Sequence, residues 1–108
     1  MTSGPEPVGT LDVALAHAEK LLVSQPSLAA EQAREILGAV PNHPAATLLL
    51  AMARRRSNDV ADALRILEPL AASQPRWAAA QRELGLALGD AGRGEEAVAA
   101  LRTAVRLQ

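Results

Sequence analysis

Residues 44–75, PAATLLLAMARRRSNDVADALRILEPLAASQP, and residues 76–108, RWAAAQRELGLALGDAGRGEEAVAALRTAVRLQ, carry one pattern written twice at an offset of 34 residues. The two copies agree at Leu50 and Leu84, Ala51 and Gly85, Ala53 and Ala87, Ala63 and Ala97, Leu67 and Leu101, and Leu70 and Ala104. Every one of these positions is small or aliphatic. In each copy an apolar run with helical spacing, Thr47 to Arg56 or Gln81 to Ala91, reaches a turn at Asn58 or Gly92, and a second such run follows. The unit is a helix, a turn and a helix.

Composition bounds what such units can build. The chain has 108 residues, enough for one small domain whose core must be shared between stacked elements. Hydrophobic residues make up 49% of it but aromatics only 1%, a single Trp. Ala and Leu must therefore fill the interior, which predicts a thin core of closely approaching helices favoured by the high helix propensity of both residues. A net charge of −1 and a pI near 6.1 argue against a general nucleic-acid binder, which would carry a basic surface. The absence of cysteine removes disulfides and thiolate chemistry. No basic segment leads into an apolar stretch at the N-terminus and no run is long enough to span a bilayer, so no membrane role is expected, and a soluble, cytoplasmic protein is.

Residues 1–9, interrupted by Gly4, Pro5, Pro7 and Gly9, read as a disordered tail. From Thr10 a helical period begins, with Leu11, Leu15, Ala18, Leu21 and Leu22 on one stripe and Thr10 or Asp12 available as cap. Ser24, Gln25 and Pro26 end this helix, and Pro26 opens a second that runs to Ala39. Counting back 34 residues sets Ala29, Ala33 and Ile36 opposite Ala63, Leu67 and Leu70, so residues 10–43 form a degenerate first repeat. Its first helix carries Ala16 and His17 where the later copies have Leu and a small residue. Residues 44–77 and 78–108 are the second and third repeats.

Asn42 or His43 caps the third helix, with Pro44 as its first residue, and Arg54, Arg55 and Arg56 suit its negative C-terminal end. Asn58 tolerates the left-handed turn and Asp59 caps helix four. Pro69 falls inside helix four, where the carbonyl of Arg65 loses its donor and the helix should bend or break. Gln74 and Pro75 start helix five, and Arg93 or Gly94 starts helix six, with Glu95 and Glu96 at its positive end.

The paired pattern resembles the tetratricopeptide repeat, whose first helix carries a Leu followed by a small residue and whose second carries Ala, a large apolar residue, then Ala. The resemblance implies an all-α, right-handed solenoid of antiparallel helix pairs, three repeats and six helices. The chain departs from the family at Arg54, where a bulky apolar residue such as Leu88 is usual. The segments AEQAREILGAVPNHPAA (30–46), ILEPLAASQP (66–75) and ELGLALGDAGRGEEAVAALRTAV (83–105) further resemble the N-terminal repeat arm of bacterial tetratricopeptide-repeat sulfotransferases. In that family the phosphate-binding loop lies in a following domain, and nothing here matches it.

No residue set points to catalysis, a cofactor or a metal. Gly92-Arg93-Gly94-Glu95-Glu96-Ala97 has the spelling of a dinucleotide fingerprint, but a helix precedes it where the fingerprint needs a strand. His17 and His43 have no companions at ligand spacing, Glu95 and Glu96 face no second group across a pocket, and Ser24, Ser27 and Ser73 lack a glycine elbow. The chain reads as a non-enzyme.

The resemblance implies a concave groove lined by the first helix of each repeat, with a protein or peptide as partner. Its positions map onto Ala45, Leu48, Met52 and Arg55 in one repeat and Ala79, Arg82 and Leu86 in the next. The family's carboxylate clamp is replaced by Ala14, Ala18, Leu48 and Met52. Helix six carries more apolar residues than one packed face needs, and Val98, Leu101 and Val105 predict self-association through helices five and six as a two-fold homodimer.

Overall fold

The computed structural model describes residues 7–108, and they form six helices with no strand among the described residues. These are α1 (Pro7–Ser24), α2 (Pro26–Ala39), α3 (Pro44–Arg56), α4 (Val60–Ser73), α5 (Ala78–Asp90) and α6 (Gly94–Leu107). Each helix packs on the next in the chain. The odd-numbered helices also meet one another, α1 with α3 and α3 with α5, whereas among the described residues no even-numbered helix approaches another. A stack whose one row converges while the other spreads must curve, with the odd row on the concave side. The body measures 58 × 26 × 20 Å with a radius of gyration of 14.7 Å, longer than the roughly 13 Å of a compact domain of this length.

The turns explain why two repeats are alike and the first is not. Asn58 (φ 65°) and Gly92 (φ 81°) both take the left-handed conformation one repeat apart. In each case the next N–H reaches back five residues, Asp59 to the Arg54 carbonyl (2.8 Å) and Arg93 to that of Leu88 (2.9 Å), which closes the helix end. The equivalent residue of the first repeat is Ser24, which stays helical, so only Gln25 separates α1 from α2. The second helices keep the 34-residue spacing, starting at Pro26, Val60 and Gly94, but α1 enters its pair in a different register. Ala16 and His17 are exposed, and Leu15, Ala18 and Leu22 pack instead with Ala29, Ala30 and Ala33 of α2 and with Leu49 and Ala53 of α3.

The core is built as its composition requires. Its main cluster joins Leu48 and Ala51 of α3, Leu64, Leu67 and Leu70 of α4, Ala80 and Ala87 of α5, and Ala97 and Ala100 of α6. Leu67 is the one large side chain wholly shielded from solvent among the described residues. At Gly85 a methyl group would stand 2.6 Å from Leu101 Cγ and 3.2 Å from the Ala97 carbonyl oxygen, so α5 and α6 touch there almost backbone to side chain.

Several boundaries differ from expectation. α1 begins at Pro7, so Pro7, Val8 and Gly9 are helical, Pro7 serving as a first helical residue, and positions 10 and 12 lie within the helix rather than at its start. Residues 1–6 of the expected tail lie outside the described residues. α5 starts at Ala78 with Trp77 as its cap residue, because Pro75 and Arg76 are spent in a turn closed by Trp77 N–H on the Gln74 carbonyl (3.1 Å). His43 is the cap of α3, its Nδ1 accepting from Ala46 N–H (3.3 Å), while Asn42 takes a left-handed turn.

Pro69 does not break α4, which continues to Ser73. Pro69 and Arg65 both lie on the exposed face, where water can serve the carbonyl that the proline leaves without a donor. Arg54 is half-buried, with its Nε 3.1 Å from Asp62 Oδ2 but outside hydrogen-bond geometry. A long stem and a charged head thus replace the usual bulky apolar residue. Arg93 ties neighbouring repeats by donating to Glu68 (3.0 Å) and Glu96 (2.8 Å). The hydrogen bonds from Arg93 hold the Glu96 carboxyl below its ordinary range, a stabilisation present above the unfolded carboxylate pKa and lost as pH falls through the folded one.

Two substitutions test this description by thermal unfolding. Pro69→Ala restores an N–H to the Arg65 carbonyl and should stabilise the fold by about 1–3 kcal/mol; a loss would show that the proline is built into the packing. Asp59 Oδ1 accepts from the Asp62 N–H at 3.2 Å, so Asp59→Ala should cost about 1 kcal/mol, and an unchanged melting temperature would remove the cap from the account.

Candidate functional site

The concave side is made by α3 and α5, which the caps at His43 and Trp77 start at equivalent places in their repeats. Of the groove positions expected on it, Ala45, Met52, Arg55 and Ala79 are half-buried, and Arg82 and Leu86 are exposed. Leu48 is buried in the core beneath them, so it supports the face rather than lining it. The result is a mixed surface with an apolar floor and two guanidinium groups.

Those cations are anchored by an acid that the repeat pattern hides. Glu83, only 4% exposed, takes the position filled by Leu49 one repeat earlier. Arg55 Nε stands 3.6 Å from Glu83 Oε1 and Arg82 Nε 3.9 Å from Oε2, while Arg55 Nη1 donates to Asp90 Oδ2 at 3.3 Å. Arg55 Nε and Glu83 Oε1 make no hydrogen bond among the described residues. A carboxylate so deeply placed requires a compensating cation, and Arg55 reaches across from α3 to supply it while Arg82 stands beside it on α5. An acidic residue at an apolar repeat position was the sequence signal for this cluster, and it is visible only once the copies are aligned residue by residue.

At one edge of the same face, two helix junctions enclose an open cleft of about 710 Å³ between His43, Pro44 and Ala45 on one side and Pro75, Arg76 and Trp77 on the other. From sequence, Ala45 is an expected groove position, and the other five residues read only as helix starts. The half-buried indole of Trp77 packs against the main core, which fixes the wall of the cleft.

The expected self-association residues come together elsewhere, on the outer flank of α6. Val98 is 48% and Val105 69% exposed, and with half-buried Leu101 they border a shallow hollow of about 460 Å³ flanked by Arg102 and Arg106. Glycines 92 and 94 form the turn into α6, preceded by helix α5. Among the described residues no three His, Asp or Glu side chains gather as metal ligands, and no helix is long and apolar enough to cross a membrane.

No curated protein matches the chain. A family model described as tetratricopeptide repeat matches residues 19–67 and again residues 48–108, the second span covering the two repeats read most clearly from sequence. With the helix pairs, the left-handed turns at Asn58 and Gly92 and the inward row of odd-numbered helices, this places the chain in the tetratricopeptide repeat family.

Proposed function

We propose that the protein is a non-catalytic interaction module that holds a peptide or partner helix on its concave face. Tetratricopeptide repeats generally mediate protein–protein interaction. The observation that carries the reading for this chain is the pairing of exposed Leu86 and Arg82 on α5 with the half-exposed Met52 and Arg55 on α3. Methionine and arginine are enriched in interfaces, and exposed Leu86 is not among the residues that pack the main core. The partner best suited is a segment offering an apolar side chain and a carboxylate, the latter completing the charge balance of Arg82. The protein also self-associates through α6, because the exposed row of Val98, Leu101 and Val105 is continuous and apolar.

A narrower alternative makes the chain the accessory arm of a sulfotransferase, contributing partner presentation while the chemistry lies in another domain. It rests on the wording of residues 66–75 and 83–105, with Pro69 inside a helix. In that reading the chain alone binds no sulfate donor.

Affinity capture from the source cell separates a functional groove from a merely solvated helix face. Leu86→Glu alters an exposed position outside the core and should leave helicity and melting unchanged while reducing recovery of the captured protein tenfold or more, about 1.4 kcal/mol; Arg82→Gln, which leaves Arg55 beside Glu83, should reduce recovery likewise at a small cost in melting temperature. Equal recovery by wild type and both variants would remove the concave face from the account.

A further inference from the structure

α4 and α6 hold equivalent places in successive repeats, which pairs Leu64 with Val98, Leu67 with Leu101, Leu70 with Ala104 and Ala71 with Val105. In α4 all four are buried, since α5 lies across that helix. The corresponding flank of α6 is bare at Val98 and Val105. The molecule itself thus shows what this flank fits, a helix laid along it.

The charges on α6 select which helix. Glu95 at its N-terminal end and Arg102 and Arg106 toward its C-terminal end are exposed and form no ion pair among the described residues. Glu95, Val98, Arg102 and Val105 follow three- and four-residue spacing and share one face. Arg106, about three helical turns on from Glu95, joins the same face, so the stripe has an acid at one end and a guanidinium at the other with Val98, Arg102 and Val105 between, and its ends are complementary when reversed.

We propose that α6 pairs with α6 of a second copy, antiparallel about a two-fold axis beside Leu101 and Arg102. This rests on the self-association stated above and assigns its geometry. Val98 of each copy lies over Val105 of the other, and Glu95 of each reaches Arg106 of the other. Opposed helix dipoles add to the attraction. A parallel pair would set Glu95 against Glu95 and Arg106 against Arg106, whereas Arg102 meets its own copy near the axis in either arrangement. A head-to-tail contact of α6 with another copy's α1 need not close. A helix of this length spans about 21 Å and covers less than the roughly 800 Å² per partner of a standard interface, which predicts a weak, reversible dimer.

Sedimentation equilibrium from about 10 μM to about 1 mM should show the mass rising from one copy toward two. Glu95→Arg and Arg106→Glu should each weaken association tenfold or more, and the double variant should regain most of the loss. Because the chain has no cysteine, any disulfide introduced by a single substitution joins two copies. Oxidation should cross-link Arg102→Cys, next to the axis, and leave the α1 control Val13→Cys uncross-linked. A dimer whose affinity ignores the charge reversals, or that cross-links through Val13→Cys instead, overturns the antiparallel arrangement while self-association stands. A single-copy mass throughout the range overturns both, and leaves the concave-face reading to its own experiment.

Discussion

The close approach of helices at small residues is the constraint on which this structure depends. A chain with one aromatic residue cannot fill space with large side chains, so it removes the space. Alanines at Ala51, Ala53, Ala63, Ala80 and Ala87 are wholly buried, and each lets a neighbouring helix come near enough for leucines such as Leu67 to reach across. Gly85 carries this furthest, since Leu101 occupies the place where its side chain would be. Thin layers give each repeat little apolar area of its own, so stability is shared along the stack and each pair relies on its neighbour. The same thinness brings the odd-numbered helices together on one side and so creates the concave face.

Much of this was legible in the sequence because the repeat is read from backbone requirements as well as from hydrophobicity. Asn58 and Gly92 announce a left-handed turn, and the two turns have the same hydrogen bonds. The first repeat was harder to read because Ser24 cannot stand in for them. Helix α1 runs on, its register shifts, and Ala16 and His17, which stand opposite Leu50 and Ala51 in the 34-residue count, face solvent, whereas Ala29, Ala33 and Ile36 of α2 are buried as the count predicts. The start of α5 was misplaced for a related reason. Pro75 is compatible with either a first helical residue or a turn, and only the tertiary position of Trp77 decides between them.

The candidate site was legible by position and illegible in its electrostatics. The groove positions that the family resemblance implies, Ala45, Met52, Arg55, Ala79, Arg82 and Leu86, lie on the converging helices and reach the surface at least in part, but Leu48, implied by the same resemblance, is sunk in the core. Periodicity carries no information about how Arg55 and Arg82 are held. That depends on Glu83, a buried acid on α5 reaching across to α3, and on Asp90 at the end of the same helix. The cleft beside Trp77 is likewise a product of two junctions 34 residues apart meeting in space.

Two glycines on α5 provide the most direct test of the packing constraint, because helix propensity and close approach predict opposite signs for one of them. Replacing a mid-helix glycine by alanine stabilises a helix by up to about 1 kcal/mol when the new methyl group has room. At Gly89 the nearest atom to such a methyl group is Ala97 Cβ at 3.9 Å, an ordinary contact, whereas at Gly85 it would meet Leu101 at 2.6 Å. Equilibrium unfolding of the two variants should show Gly89→Ala more stable than wild type and Gly85→Ala less stable by about 1–3 kcal/mol. Stabilisation by Gly85→Ala to the same extent as by Gly89→Ala would contradict the claim that close approach at small residues holds the helix pairs together.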